Sequence, residues 1–126
     1  MGKDQATEFL KNYTREKMLE YGKNNAKSSS DGSFRTYITT LTPERYQDTM
    51  TMEIVENSET AYEIKVTECI WASIFLAESA GDIGWASVCC GDYAWAEGFN
   101  PKIKLVRDKT LMQGHAFCNH RFIWTG

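Results

Sequence analysis

Residues 85–122, WASVCCGDYAWAEGFNPKIKLVRDKTLMQGHAFCNHRF, constrain the fold more than any other stretch. They hold three of the four cysteines and both histidines. Trp85, Val88, Trp95, Ala96 and Phe99 recur at helical spacing and make one apolar stripe. Cys89 and Asp92, three apart, share its face. A carboxylate on a buried stripe is costly unless paired or hydrogen-bonded. Cys118 and His120, two apart in a strand predicted over Ala116 to Trp124, share a face with Phe122 and Trp124. A helix and a sheet packed along these faces bring two thiols, a carboxylate and an imidazole together.

At 126 residues the chain is expected to form a single domain, 1–126, with a real core. Its 42% hydrophobic and 25% charged residues are those of a soluble globular protein. A net charge of −3 without a basic cluster gives no electrostatic footprint for nucleic acid. No apolar run approaches the roughly 20 residues that span a bilayer. The polar N-terminal stretch lacks the apolar core of a signal peptide, so the expectation is cytoplasmic. There the four cysteines are free thiols or ligands rather than disulfides.

Upstream, Asp4 caps a predicted helix over Gln5 to Lys23 with a stripe of Phe9, Leu10, Tyr13, Met18 and Tyr21. That stripe is a packing face or a contact for a homo-oligomer. Residues 24–33 read as a polar loop, and Phe34 to Leu41 as a strand. Thr49 to Glu56 and Ala61 to Thr67 alternate as a β-hairpin, with Met50, Met52, Ile54, Tyr62, Ile64 and Val66 inward. Glu53, Glu56, Glu59 and Glu63 form its solvated acidic face. A mostly buried helix is expected over Glu68 to Ser79, through Ile70, Trp71, Ile74, Phe75 and Ala77. Cys69 falls in its first turn, either as a small buried apolar residue or as a thiol whose ionised form the helix dipole favours. A further helix runs from about Ile83 to Glu97, with Gly98 as its cap and Pro101 as a stop. Lys102 to Arg107 is the next strand. The order predicts an α+β fold: an antiparallel sheet of four to five strands, two helices on one face and an N-terminal helix.

Cys89 and Asp92 are either a buried thiol beside a capping carboxylate or a pair that performs chemistry. A carboxylate raises the pKa of a nearby thiol, so Asp92 would accept or donate a proton rather than stabilise a thiolate. Positive character would come from His120 or Arg121. Cys118 and His120 are ordinary strand residues or members of the same site. Cys69, Cys89, Cys118 and His120 are the alternative, a ligand set for zinc or iron in a non-catalytic binding domain, although no C-x-x-C pair occurs. Gly91 and Gly98, weak helix formers, allow close backbone packing around a small ligand.

The series C-x-x-D (Cys89 to Asp92), F-N-P-x-I-x-L (Phe99 to Leu105), T-L-x-x-G (Thr110 to Gly114) and C-x-x-R-F (Cys118 to Phe122) resembles the L-2-amino-thiazoline-4-carboxylic acid hydrolase family, over about residues 49–124. Cys69 also resembles a family position. The resemblance implies a hydrolase that needs no cofactor and opens a small thiazoline ring with water to an N-carbamoyl cysteine. It implies catalytic roles for Cys89, Asp92, Cys118 and His120, with a thiol attacking the ring carbon or Asp92 activating water. Arg121, or Lys104 or Arg107, would hold the substrate carboxylate. Trp71, Trp85 and Trp95 would wall a flat pocket, with Cys69, Thr110 and Gly114 beside the substrate.

Overall fold

The computed structural model describes residues 2–126. A long helix α1 (Lys3–Ser28) is followed by a short α2 (Phe34–Ile38) and a 3₁₀ turn (Pro43–Tyr46). The hairpin β1 (Met50–Asn57) and β2 (Ala61–Cys69) leads into α3 (Ile70–Ala77). Next comes one helical run in three pieces: α4 (Gly81–Gly84), a π-helical turn (Trp85–Cys89) and α5 (Gly91–Phe99). Strand β3 (Ile103–Val106), a 3₁₀ turn (Leu111–Gln113) and β4 (Cys118–Trp124) complete the chain. The strands form one antiparallel sheet in the order β1-β2-β4-β3. The fold is α+β.

Pairing of Tyr62 with Phe122, and of Leu105 with Phe122, aligns the inner faces of three strands. Tyr62, Ile64, Ile103 and Phe122 meet Phe34, Tyr37 and Ile38 of α2 and Ala96 and Phe99 of α5 in the core. The cover of the sheet is therefore α2 and α5.

Residues 34–41 are not a strand. Phe34, Tyr37, Ile38 and Leu41, all buried, stand at i, i+3, i+4 and i+7, the spacing of one helix face. The Ser33 side chain caps the helix, accepting from the Thr36 amide at 3.1 Å. The polar loop expected over 24–33 shrinks to 29–33, because α1 runs on to Ser28. Asp31 pins what remains, accepting from the Ser33 amide at 3.0 Å and the Thr36 hydroxyl at 2.6 Å.

The buried face of α1 also differs from its expected stripe. Phe9, Tyr13 and Tyr21 are exposed, while Thr14 and Gly22 are buried. The helix crosses α5 so closely that only small residues fit at the crossing. A Cβ on Gly98 would overlap the Leu19 carbonyl oxygen, and one on Gly22 would meet the Phe99 amide nitrogen at 2.8 Å. Gly91 faces Met18 and Thr14 in the same way. Gly91 and Gly98 thus serve a helix–helix contact, not a ligand, and Gly98 lies inside α5, whose cap is Asn100.

Helix α3 is more exposed than expected: Ile70, Ile74 and Leu76 lie at the surface. It packs on α4 and the 111–113 turn rather than across the sheet. The hairpin holds, with bulges at Thr51/Met52 and Ile54/Glu56; Ile54, paired with the buried Ile64, shares its face but is left exposed on the edge strand.

Candidate functional site

Side chains on the inner face of β4 step along the helical layer. Trp124 stacks on Phe34, Phe122 meets Tyr37 edge-on, and then come His120 and Cys118. The first two layers are apolar and the last two carry chemistry. Val106 pairs with Arg121, so Arg107, one residue beyond, comes level with His120 on the inner face. Opposite, the break between the π-turn and α5 presents Cys89 and Asp92.

Arg107 ties these pieces together. Its side chain is 1% exposed, against 31% for Asp92. Nη1 donates to Asp92 Oδ2 at 2.7 Å and Nη2 to the Cys89 carbonyl at 2.9 Å. The guanidinium lies over the Trp85 ring at 5.3 Å and the Tyr93 ring at 5.0 Å. Nη1 also approaches His120 Nδ1 at 3.5 Å, which favours the neutral tautomer with its proton on Nε2.

Burial governs the proton affinities. It pushes the Cys89 thiol up to about 12, with the Asp92 charge adding to the rise and Arg107 opposing it. Burial also raises Cys118, although the Leu111 amide donates to its Sγ at 3.2 Å. It lowers His120 to about 4, against the pull of Asp92. Burial opposes the Arg107 charge too, but attraction and hydrogen bonding to Asp92 outweigh it and its pKa rises. Near neutral pH the layer therefore holds two protonated thiols, a neutral imidazole and one ion pair. The cation next to Cys89 is Arg107, not His120.

Arg121 stands on the opposite face of the sheet. It pairs with Glu56 and, at 3.4 Å, with Glu63, so those two glutamates are clamped rather than freely solvated. Lys104, paired with Ile123, also faces outward.

The T-L-x-x-G segment works as a frame. The buried Thr110 caps the 3₁₀ turn, its hydroxyl accepting from the Gln113 amide at 3.3 Å and donating to Gln113 Oε1 at 2.8 Å. Gly114 closes the turn at φ +94°, a left-handed conformation that favours glycine. The frame aims the Leu111 amide at Cys118. In F-N-P, Asn100 reaches the 29–33 loop through a 2.7 Å bond to the Gly32 carbonyl.

Cys69 is the last residue of β2 and the N-cap of α3, not part of its first turn, and its thiol caps nothing. With Leu111, Gly114 and His115 it lines an open cleft of about 280 Å³. A second cleft of about 470 Å³ adjoins it at Leu76 and Gly114 and includes Trp85. The three tryptophans do not share a pocket. Trp71 lies at the surface on α3, and Trp95 packs in the interior against Tyr21 and Tyr37. Among the described residues no group of three or more His, Cys, Asp or Glu side chains is placed to hold a metal ion.

From sequence alone, Arg107 is one of three cations that could hold a substrate carboxylate. The alternation Ile103, Leu105, Arg107 already put it on the inner face, next to a carboxylate that needed a partner.

Among the described residues no helix is long and apolar enough to cross a membrane. No curated protein matches the chain. A family model described as L-2-amino-thiazoline-4-carboxylic acid hydrolase matches residues 1–122, which include α1 as well as the whole Cys89–His120 layer. The chain belongs to the L-2-amino-thiazoline-4-carboxylic acid hydrolase family.

Proposed function

We propose that this protein hydrolyses a small cyclic isothiourea, opening a thiazoline ring with water, and that Asp92 is the base. The observation that carries this reading is the half-exposed Asp92 carboxylate. Arg107 holds one of its oxygens, and no hydrogen bond among the described residues reaches the other.

The free oxygen, Oδ1, accepts a proton from water as the water oxygen attacks the ring carbon between sulfur and nitrogen. The carbon–sulfur bond then breaks. The water oxygen remains on carbon as the new carbonyl, and its two protons finish on the sulfur and the ring nitrogen. Asp92 hands on the proton it took. Cys89 and Cys118, protonated near neutral pH, offer S–H donors to the ring heteroatoms rather than a thiolate to its carbon. His120, neutral, offers its Nε2 proton in the same layer.

The test is ring opening of 2-amino-thiazoline-4-carboxylate, followed by the thiol it releases. Asp92→Asn is expected to lose about 100-fold or more in kcat, the usual worth of a general base. Cys89→Ala and Cys118→Ala are expected to lose less than Asp92→Asn. Wild-type rates in all three variants would sink the assignment.

A further inference from the structure

We propose that Arg107 is the positioning residue of this site: it holds the Asp92 carboxylate and the Cys89 turn in register and does not bind substrate. The proposal rests on reading Asp92 as the base.

Geometry carries the argument. The helical run is interrupted: Cys90 donates back to the Trp85 carbonyl, five residues away, and α5 starts only at Gly91. The Cys89 carbonyl therefore lies outside the ladder of α5, and a buried carbonyl requires a donor. Arg107 Nη2 supplies it at 2.9 Å. Nη1 of the same planar group takes Asp92 at 2.7 Å. One rigid fork thus bridges the π-turn and α5. The rings on its flanks come from the same two segments, Trp85 from the π-turn and Tyr93 from the first turn of α5.

Because the fork is divided, it grips Asp92 through one oxygen only. A bidentate pair would occupy both and leave no base. With its side chain 1% exposed, Arg107 has no surface to offer a substrate carboxylate. Lysine keeps the charge but is a single point on a flexible stem, and cannot span both acceptors with fixed geometry.

The experiment uses the full chain as Arg107→Lys, Arg107→Ala and Asp92→Asn, with 2-amino-thiazoline-4-carboxylate as probe. Arg107→Lys is expected to lose about 100-fold in kcat, the effect of a small misplacement of a catalytic group. Its KM is expected to stay within about threefold of wild type. Free guanidinium should restore part of the rate to Arg107→Ala, and ammonium at the same concentration should not. A second readout requires no turnover: alkylation of Cys89 by iodoacetamide, followed by mass spectrometry, should quicken about tenfold in Arg107→Lys as the turn loosens.

Wild-type kcat in Arg107→Lys overturns the proposal, as does a loss that lies wholly in KM. An Arg107→Lys chain that does not fold overturns it too, because a positioning role leaves the fold standing. If the protein does not turn over this probe, unchanged Cys89 labelling decides against it. Turnover retained in Asp92→Asn overturns the base assignment instead, so the two failures are distinguishable.

Discussion

Tyr37→Phe should make the protein more stable. Tyr37 is fully buried, and its ring packs 5.1 Å from Phe99 and 5.5 Å from both Trp95 and Phe122. Its hydroxyl has no hydrogen-bond partner. Burial, reinforced by the Asp92 charge, holds its pKa well above the ordinary range, so the hydroxyl remains neutral and gains nothing from ionising. An unpartnered hydroxyl taken out of water costs about 1–3 kcal/mol. Phenylalanine keeps the ring contacts and removes that cost, leaving at most a small void. The net expectation is a gain of about 1 kcal/mol. Urea unfolding should show the midpoint rise by about 0.5 M at unchanged slope, for a slope near ~2 kcal/mol per molar. Thermal unfolding should shift up by about 3–5 °C for a chain of this size. Tyr62→Phe is the control. Its hydroxyl donates to the Leu41 carbonyl at 2.7 Å inside the same core, so its removal should cost about 1 kcal/mol or more. A midpoint that falls in Tyr37→Phe would refute the reasoning by showing that the Tyr37 hydroxyl has a partner in solution.

Gly98→Ala should destabilise by about 1–3 kcal/mol despite the better helix propensity of alanine, because the new methyl group meets Leu19 backbone; chemical denaturation reads the loss, and a more stable variant would show that the crossing relaxes freely. Stability should fall with pH between about 6.5 and 4, because the unfolded chain takes up a proton on His120 that the folded chain rejects. The swing is up to about 3 kcal/mol and should vanish in His120→Gln, measured as the difference between the two pH profiles. Arg121→Met should leave both ring opening and the unfolding midpoint close to wild type, as befits an exposed pair on the far face of the sheet; a large loss of activity would move the substrate to that face.

The hairpin and the C-terminal strands were legible, because a period of 2 assigns their faces directly. The β-branched and aromatic content of residues 34–41 suggests a strand, while the spacing of Phe34, Tyr37, Ile38 and Leu41 is helical, and the structure follows the spacing. The turn of α1 toward its small residues was not legible from α1 alone. Thr14 and Gly22 are buried because Gly91 and Gly98 lie opposite, a pairing between segments distant in sequence. The protonation of the site also depended on depth. Spacing can put a thiol near an imidazole, but only the packed structure decides that both are neutral.

A five-residue backward bond holds one residue more per turn than the four-residue bond of an α-helix, so the π-turn at 85–89 accommodates one residue more than a continuous α-helix would. Deleting Cys90 would let the ladder run unbroken from Gly81 to Phe99. It would also turn everything before the deletion by about 100° relative to α5, carrying Cys89 and Trp85 away from Arg107. Gapless alignment of this chain with a relative that has a continuous helix would then match residues on different sides.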